Sequence, residues 1–140
     1  MGLAEKRASE ECKKTKFAEL QQMMKTSLEA DIPMEVDWDK ISMRIEGQPN
    51  ANTVMKEFFV SHFAEPLTQA VKSICADEMG KGALKKELKK VAMTSDADAS
   101  AWSGGYKFDK GTLTMNMSWA NSDDTQERIE GLTKLLESKL

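Results

Sequence analysis

Apolar residues recur every three or four positions in several stretches of the chain, and this spacing predicts amphipathic helices. The first stretch covers residues 3 to about 29, which include neither glycine nor proline and are rich in good helix formers. Its apolar stripe occupies only the second half: Phe17, Leu20, Met24 and Leu28. The first half is therefore expected either to project into solvent or to pack through its small residues, which are Ala4, Ala8 and Cys12.

The middle of the chain carries the clearest helical pattern. From Thr53 onward, apolar residues mark one broad face that extends to Ile74. Pro66 interrupts this face, and proline cannot donate a hydrogen bond to the carbonyl group four residues earlier, which belongs to His62. We therefore expect either a kink near residues 62–66 or two abutting helices within one long core helix.

Alternation of apolar and polar residues with a period of two predicts strands. The predicted strands cover residues 35–39, 91–95, 101–108 and 113–119. The first is a short half-buried or edge strand with Val36 and Trp38 facing inward. The turn Asp109-Lys110-Gly111 joins the last two strands as a hairpin.

Two further helices complete the predicted elements, whereas residues 40–47 have no clear pattern. One helix covers residues 83–89, and the last begins where Asp123 and Gln126 resemble a capping box. This order predicts an α+β fold, with an antiparallel sheet of three to four strands covered on one face by helices, including the long Pro-kinked core helix. The length of 140 residues fits a single domain over residues 1–140.

Composition narrows the class of protein. Charged residues make up 31% of the chain and hydrophobic residues 40%, which excludes a disordered chain and a membrane-embedded one. No apolar run approaches the roughly 20 residues that cross a bilayer, and the start shows no secretory signal. Cys12 and Cys75 lack the spacing of a metal site. We therefore expect two free thiols, no cofactor, no metal and a cytoplasmic location.

His62 is the only histidine, so any imidazole acid or base in this chain must be this residue. Glu65 follows three residues later and is a candidate orienting carboxylate. This pair supports the hypothesis of a catalytic site in a pocket lined by Met and Phe residues, between the sheet and the kinked helix. A partly exposed histidine beside a kink, without any catalytic role, is the favoured interpretation.

Two acidic segments are candidates for cation binding. Asp96 opens a run that imitates a calcium loop, but Ala101 stands where the loop needs glycine and Lys107 where it needs a bidentate glutamate. The second segment is the predicted edge strand, with three carboxylates on one side: Glu35, Asp37 and Asp39. Such groups can share a proton or a cation. Protection of an edge strand against aggregation is the favoured explanation.

A cluster of lysines makes the charge distribution asymmetric. Five lysines against Glu87 give residues 81–91 a charge of +4, which leaves −7 on the rest of a chain whose net charge is −3. Lys81, Lys85 and Lys89 are predicted to share one helical face. This face is a candidate site for an anion, an acidic protein partner or a second copy of the chain. Simple solvation of an amphipathic helix is the favoured interpretation. Nucleic acid is an unlikely partner, because no aromatic residues alternate with the lysines.

Three segments together resemble a group of small uncharacterised bacterial proteins. They are Met1-Gly2-Leu3-Ala4-Glu5-Lys6-Arg7, Glu35-Val36-Asp37-Trp38 and Ile74-Cys75-Ala76-Asp77-Glu78-Met79-Gly80-Lys81. This resemblance implies no activity, cofactor or catalytic residue. The leading hypothesis is a cytoplasmic, non-enzymatic binding or self-association module with a protein partner or as a homodimer. The alternative is a small enzyme or ligand carrier with its pocket near His62 and an unknown small-molecule ligand.

Overall fold

A computed structural model describes residues 2–96, 105–118 and 124–140. It confirms an α+β fold, in which helices pack against a four-stranded sheet. Among these residues, no helix combines the length and the apolar content needed to cross a lipid bilayer.

Residues 3–28 form a continuous helical segment. Helix α1 (Leu3–Cys12) passes through a π-helical stretch (Lys13–Phe17) into helix α2 (Ala18–Leu28). The first half does not project into solvent, because Ala8 and Cys12 are buried and α1 packs against the helix that begins at residue 51. Small side chains allow this close approach.

A short strand and a short helix follow. Strand β1 is Met34–Val36, and helix α3 is Trp38–Arg44. The predicted strand over residues 35–39 is therefore wrong in its second half, because Trp38 begins a helix. The reason is local: the Asp37 carboxylate accepts the N–H of Lys40 at 3.1 Å, and such an N-cap stabilises a helix start.

The central helical segment contains helix α4 (Ala51–Phe59), a π-helical stretch (Val60–Ala64) and helix α5 (Glu65–Ile74). Pro66 lies in the first turn of α5, where its missing N–H is tolerated. The break in α-helical geometry thus falls at residues 60–64, next to the predicted position. The structure shows it as a π-helical stretch, and the kink itself stays a prediction.

The remaining elements complete the sheet and cover it. They are helix α6 (Glu78–Glu87), strands β2 (Lys90–Thr94), β3 (Tyr106–Asp109) and β4 (Thr112–Asn116), and helix α7 (Thr125–Glu137). Helix α6 starts and ends earlier than the helix predicted over residues 83–89. Asp124 is the N-cap of α7, whereas Asp123 of the predicted capping box lies outside the described residues. So do residues 97–104 and 119 of the predicted loop and strands.

The strand order is β1-β2-β4-β3, and the sheet is mixed. Strands β3 and β4 form the predicted antiparallel hairpin, with Lys110 and Gly111 at positive φ in its turn. The prediction of an antiparallel sheet is wrong for the other two pairs, because β2 is parallel to both β1 and β4. Alternation along a strand defines its buried face but not its neighbours. In this sheet, the hairpin strand that pairs with β2 is β4 and not β3.

The core lies between the helices and one face of the sheet. Alternate residues of β2 and β4 are buried on that face: Val91, Met93, Leu113 and Met115. Aromatic rings from three helical segments meet below it, and Trp38 stacks on Phe59 with centroids 5.3 Å apart. The opposite face carries small and polar side chains of intermediate exposure, which are Ala92, Thr94, Thr112, Thr114 and Asn116.

Candidate functional site

His62 lies in the π-helical stretch and is 3% exposed. Its Nδ1 is 2.7 Å from the Ser61 hydroxyl, and its ring meets Phe58 edge-on. Glu65 accepts a hydrogen bond from the Gln69 side chain at 2.9 Å and lines a groove between α5 and α7. The structure therefore buries the candidate histidine and directs the candidate carboxylate elsewhere. The cavities described below are lined by other residues.

Two buried side chains bind the carbonyl groups that the irregular helix leaves open. The N–H of Glu65 donates to the carbonyl of Val60, five residues back, which frees the Ser61 carbonyl. Arg128 Nε donates to that carbonyl at 3.0 Å. The Tyr106 hydroxyl donates to the His62 carbonyl at 2.6 Å.

This network has a structural role, because each donor compensates for the helix geometry around Pro66. Burial raises the pKa of Tyr106, which keeps its hydroxyl protonated as a donor. Sequence reasoning missed both donors. A signal existed for Arg128, since it lies four residues before Leu132 and eight before Leu136 in the buried stripe of α7.

The three candidate lysines do not form one free helical face. Lys81 pairs with Glu29 at 2.7 Å, and this hydrogen bond raises the pKa of Lys81. Lys85 is exposed on α6. Lys89 lies beyond the end of the helix, where its N–H donates to the Gly111 carbonyl at 2.7 Å. The chain's own carboxylate thus neutralises part of the predicted basic face.

The carboxyl ends of the parallel strands bring together polar residues that are distant in sequence. Asp96, just after β2, accepts hydrogen bonds from Lys40 Nζ at 2.9 Å and from Asn116 Nδ2 at 3.1 Å. The Lys40 hydrogen bond is the main cause of the lowered pKa of Asp96. Among the described residues, Arg44 Nε and Ser95 Oγ are buried without a hydrogen-bond partner. The hydrogen bonds of Asp96 with Lys40 and Asn116 connect α3 to the carboxyl ends of β2 and β4.

The outer side of β1 is an open strand edge. The N–H of Val91 donates to the Pro33 carbonyl and the N–H of Asp37 to the Met93 carbonyl, both at 2.9 Å. In a parallel ladder with this register, the main chain of Glu35 also faces β2. The N–H and C=O groups of Met34 and Val36 therefore point away from β2. Within the part of the chain that the structure describes, no strand pairs with them.

A cavity lies at each end of β1. The carboxyl-end cavity has a volume of about 550 Å³ and is lined by residues that include Glu35, Asp37, Trp38, Asp39, Ala92 and Thr94. The amino-end cavity has a volume of about 440 Å³ and separates α2 from residues 31–34. Parallel strands commonly place ligands at their carboxyl ends. The open edge and these two cavities form the candidate site, which we name the β1 site.

The donor set of the β1 site does not resemble a metal centre. Across residues 2–96, 105–118 and 124–140, no three His, Cys, Asp or Glu side chains are placed to hold a metal ion. No family model, curated protein or solved structure matches the chain. The resemblance to small uncharacterised bacterial proteins stays a prediction. The geometry defines a small α+β protein in which, among the described residues, β1 is an edge strand with one unpaired side.

Proposed function

We propose that this protein is a small non-enzymatic binding module, which adds an extended segment of a partner protein to its sheet at β1. The observation that supports this function is the row of outward-facing main-chain groups on Met34 and Val36. Strand addition uses such groups for affinity and neighbouring pockets for specificity. The two cavities of the β1 site supply pockets at both ends of the strand.

A partner protein fits the β1 site better than a second copy of the chain. Antiparallel pairing of β1 with its own copy places the Glu35 carboxylate opposite either Glu35 or Asp37 of the copy, depending on the register. Like charges on neighbouring strands destabilise the pairing. Binding to another protein therefore takes precedence over self-association through this edge.

Proline substitution provides the experimental test of strand addition. Val36→Pro removes an N–H that points away from β2, so the sheet keeps its own hydrogen bonds, and edge strands tolerate proline at such positions. The matched control is Val36→Ala, which loses the half-buried side chain but keeps the N–H. Circular dichroism and melting temperature establish that both variants are folded.

The binding measurement uses ¹⁵N-labelled protein and an acetylated, amidated heptapeptide of sequence Thr-Val-Thr-Lys-Thr-Val-Thr. We expect the amide signals of residues 34–39 to shift on titration in the parent protein and in Val36→Ala. We expect no shift in Val36→Pro. Unchanged peptide binding by Val36→Pro, or shifts confined to another surface, would contradict strand addition at β1.

The proposal includes a cytoplasmic location, supported by the state of the two cysteines. Both are free thiols, and burial raises the pKa of Cys12 to about 12. Free thiols are typical of reducing compartments. Fractionation of cells that express the protein tests this location, and recovery among secreted proteins would argue against it.

A further inference from the structure

We infer that the carboxyl-end cavity of the β1 site receives the side chain of a lysine or arginine from the bound strand. This inference rests on the proposed function, because it identifies the chemistry of the segment that β1 binds. Three carboxylates surround the cavity, from Glu35, Asp37 and Asp39. Among the described residues, no lysine or arginine lines it.

Two of these three carboxylates, those of Asp37 and Asp39, are not neutralised by an ion pair among the described residues. Glu35 pairs with Lys90 at 2.9 Å. Among the described residues, no lysine or arginine nitrogen lies within 4.0 Å of the Asp37 or Asp39 carboxylates. The Oδ1 of the exposed Asp37 accepts the N–H of Lys40, and its Oδ2 accepts no hydrogen bond among the described residues. A cationic side chain would thus find two acceptors without displacing an existing ion pair.

The register of the sheet brings such a side chain to the cavity. Glu35 is opposite Ala92 on β2, and both belong to the open face of the sheet. In an added strand, the residue opposite Glu35 projects on the same face. The methyl group of Ala92 leaves space there, and Trp38 forms an apolar wall for the methylene groups of a long side chain.

The indole of Trp38 is held in place by the core. It stacks on Phe59 and meets Phe17 edge-on, with ring centroids 5.3 Å and 5.7 Å apart. The Thr94 side chain also lines the cavity, and its Oγ1 has no hydrogen-bond partner among the described residues. The cavity therefore combines a fixed apolar wall, a small floor and free carboxylates, which matches an extended basic side chain.

The experiment compares three heptapeptides that differ only at the central position, which is lysine, norleucine or glutamate. Dissociation constants come from titrations followed by the amide signals of residues 34–39. We expect the lysine peptide to bind roughly three- to tenfold more tightly than the norleucine peptide, because two exposed ion pairs form. The glutamate peptide should bind most weakly. The lysine advantage should shrink as salt rises from about 0.05 M to 0.5 M.

A charge-neutral variant tests the cavity directly. Asp37→Asn with Asp39→Asn removes both carboxylates, and asparagine keeps the N-cap of α3. We expect the lysine and norleucine peptides to bind this variant equally. The matched control, Asp109→Asn with Glu130→Gln, makes the same change in net charge at exposed positions away from β1 and should keep the lysine advantage.

Each alternative outcome is distinguishable. Equal binding of all three peptides by the parent protein, abolished by Val36→Pro, would leave the proposed function standing and overturn the basic specificity. Absence of any shift of the amide signals of residues 34–39 would overturn both proposals. Concentration-dependent shifts of the protein alone at Met34 and Val36 would identify a second copy as the occupant and overturn the inference.

Discussion

Removal of the Tyr106 hydroxyl tests how the chain compensates for Pro66. In a regular α-helix the His62 carbonyl accepts the N–H of residue 66, which proline lacks. Tyr106 donates to this carbonyl instead, at 2.6 Å, and Tyr106 is only 4% exposed. The variant Tyr106→Phe keeps the packed ring and deletes the donor. We therefore expect a loss of stability that reflects one buried hydrogen bond.

The magnitude follows from the burial of the acceptor. A hydrogen bond contributes about 1 kcal/mol, and a buried polar group left unsatisfied costs about 1–3 kcal/mol, so we expect a loss of about 2 kcal/mol. Unfolding entropy of about 2.1 cal/mol/K per residue gives about 0.3 kcal/mol/K for this chain. The melting temperature should therefore fall by roughly 7 °C. Calorimetry and urea denaturation at 25 °C measure both quantities.

A double-mutant cycle that combines Tyr106→Phe with Pro66→Ala tests whether Tyr106 compensates for the N–H that Pro66 lacks. Alanine restores the N–H at position 66, so Tyr106→Phe should then cost less than about 1 kcal/mol. Thr133→Val is the control, because it removes a hydroxyl that donates to the Ile129 carbonyl within α7 at 2.7 Å. Its effect should be the same in both backgrounds. An equal loss from Tyr106→Phe in both backgrounds would refute the compensation.

Three further predictions concern the edge, the strand ends and the thiols. Glu35→Pro removes an N–H that faces β2, so urea denaturation should show a free energy of unfolding lower by about 1–3 kcal/mol. A similar loss for Val36→Pro would contradict the assigned register. The pKa of Asp96 is lowered in the folded state, so the ionised carboxylate stabilises the fold at neutral pH, and this contribution is lost as pH falls below about 4. The difference in stability between the parent protein and Asp96→Asn should therefore shrink as pH falls through that range. Mass spectrometry after iodoacetamide treatment should show slow alkylation of Cys75, whose pKa is raised by partial burial, and no alkylation of the fully buried Cys12 until unfolding.

Local patterns in the sequence predicted those elements that local chemistry determines. The apolar stripe between Val54 and Ile74 matches α4 and α5, and the hairpin turn at Lys110 and Gly111 matches its positive φ angles. Alternation over residues 35–39 failed, because the Asp37 side chain caps a helix there. An N-cap and an exposed strand residue are both polar, so the pattern alone does not separate them.

Local sequence patterns do not predict contacts that depend on the tertiary structure. Lys40 and Asp96 meet because β2 ends beside α3, and Tyr106 reaches His62 because β3 lies against the central helical segment. Neither contact follows from spacing along the chain. The same holds for the β1 site, since the direction of Val36's main-chain groups depends on which strand β1 pairs with. Strand order therefore limited both the fold and the site prediction.

The parallel pairing of β1 with β2 also determines when the sheet can form during synthesis. Met34 pairs with Val91, so β1 leaves the ribosome well before its neighbour exists. At about 5–20 residues per second, the nascent strand waits roughly 3–11 seconds with both edges unpaired. Helices α1, α2, α4 and α5 can form within this interval, because their hydrogen bonds are local. We expect the carboxylates of Glu35 in β1 and of the adjoining Asp37 to disfavour pairing of this strand with neighbouring nascent chains.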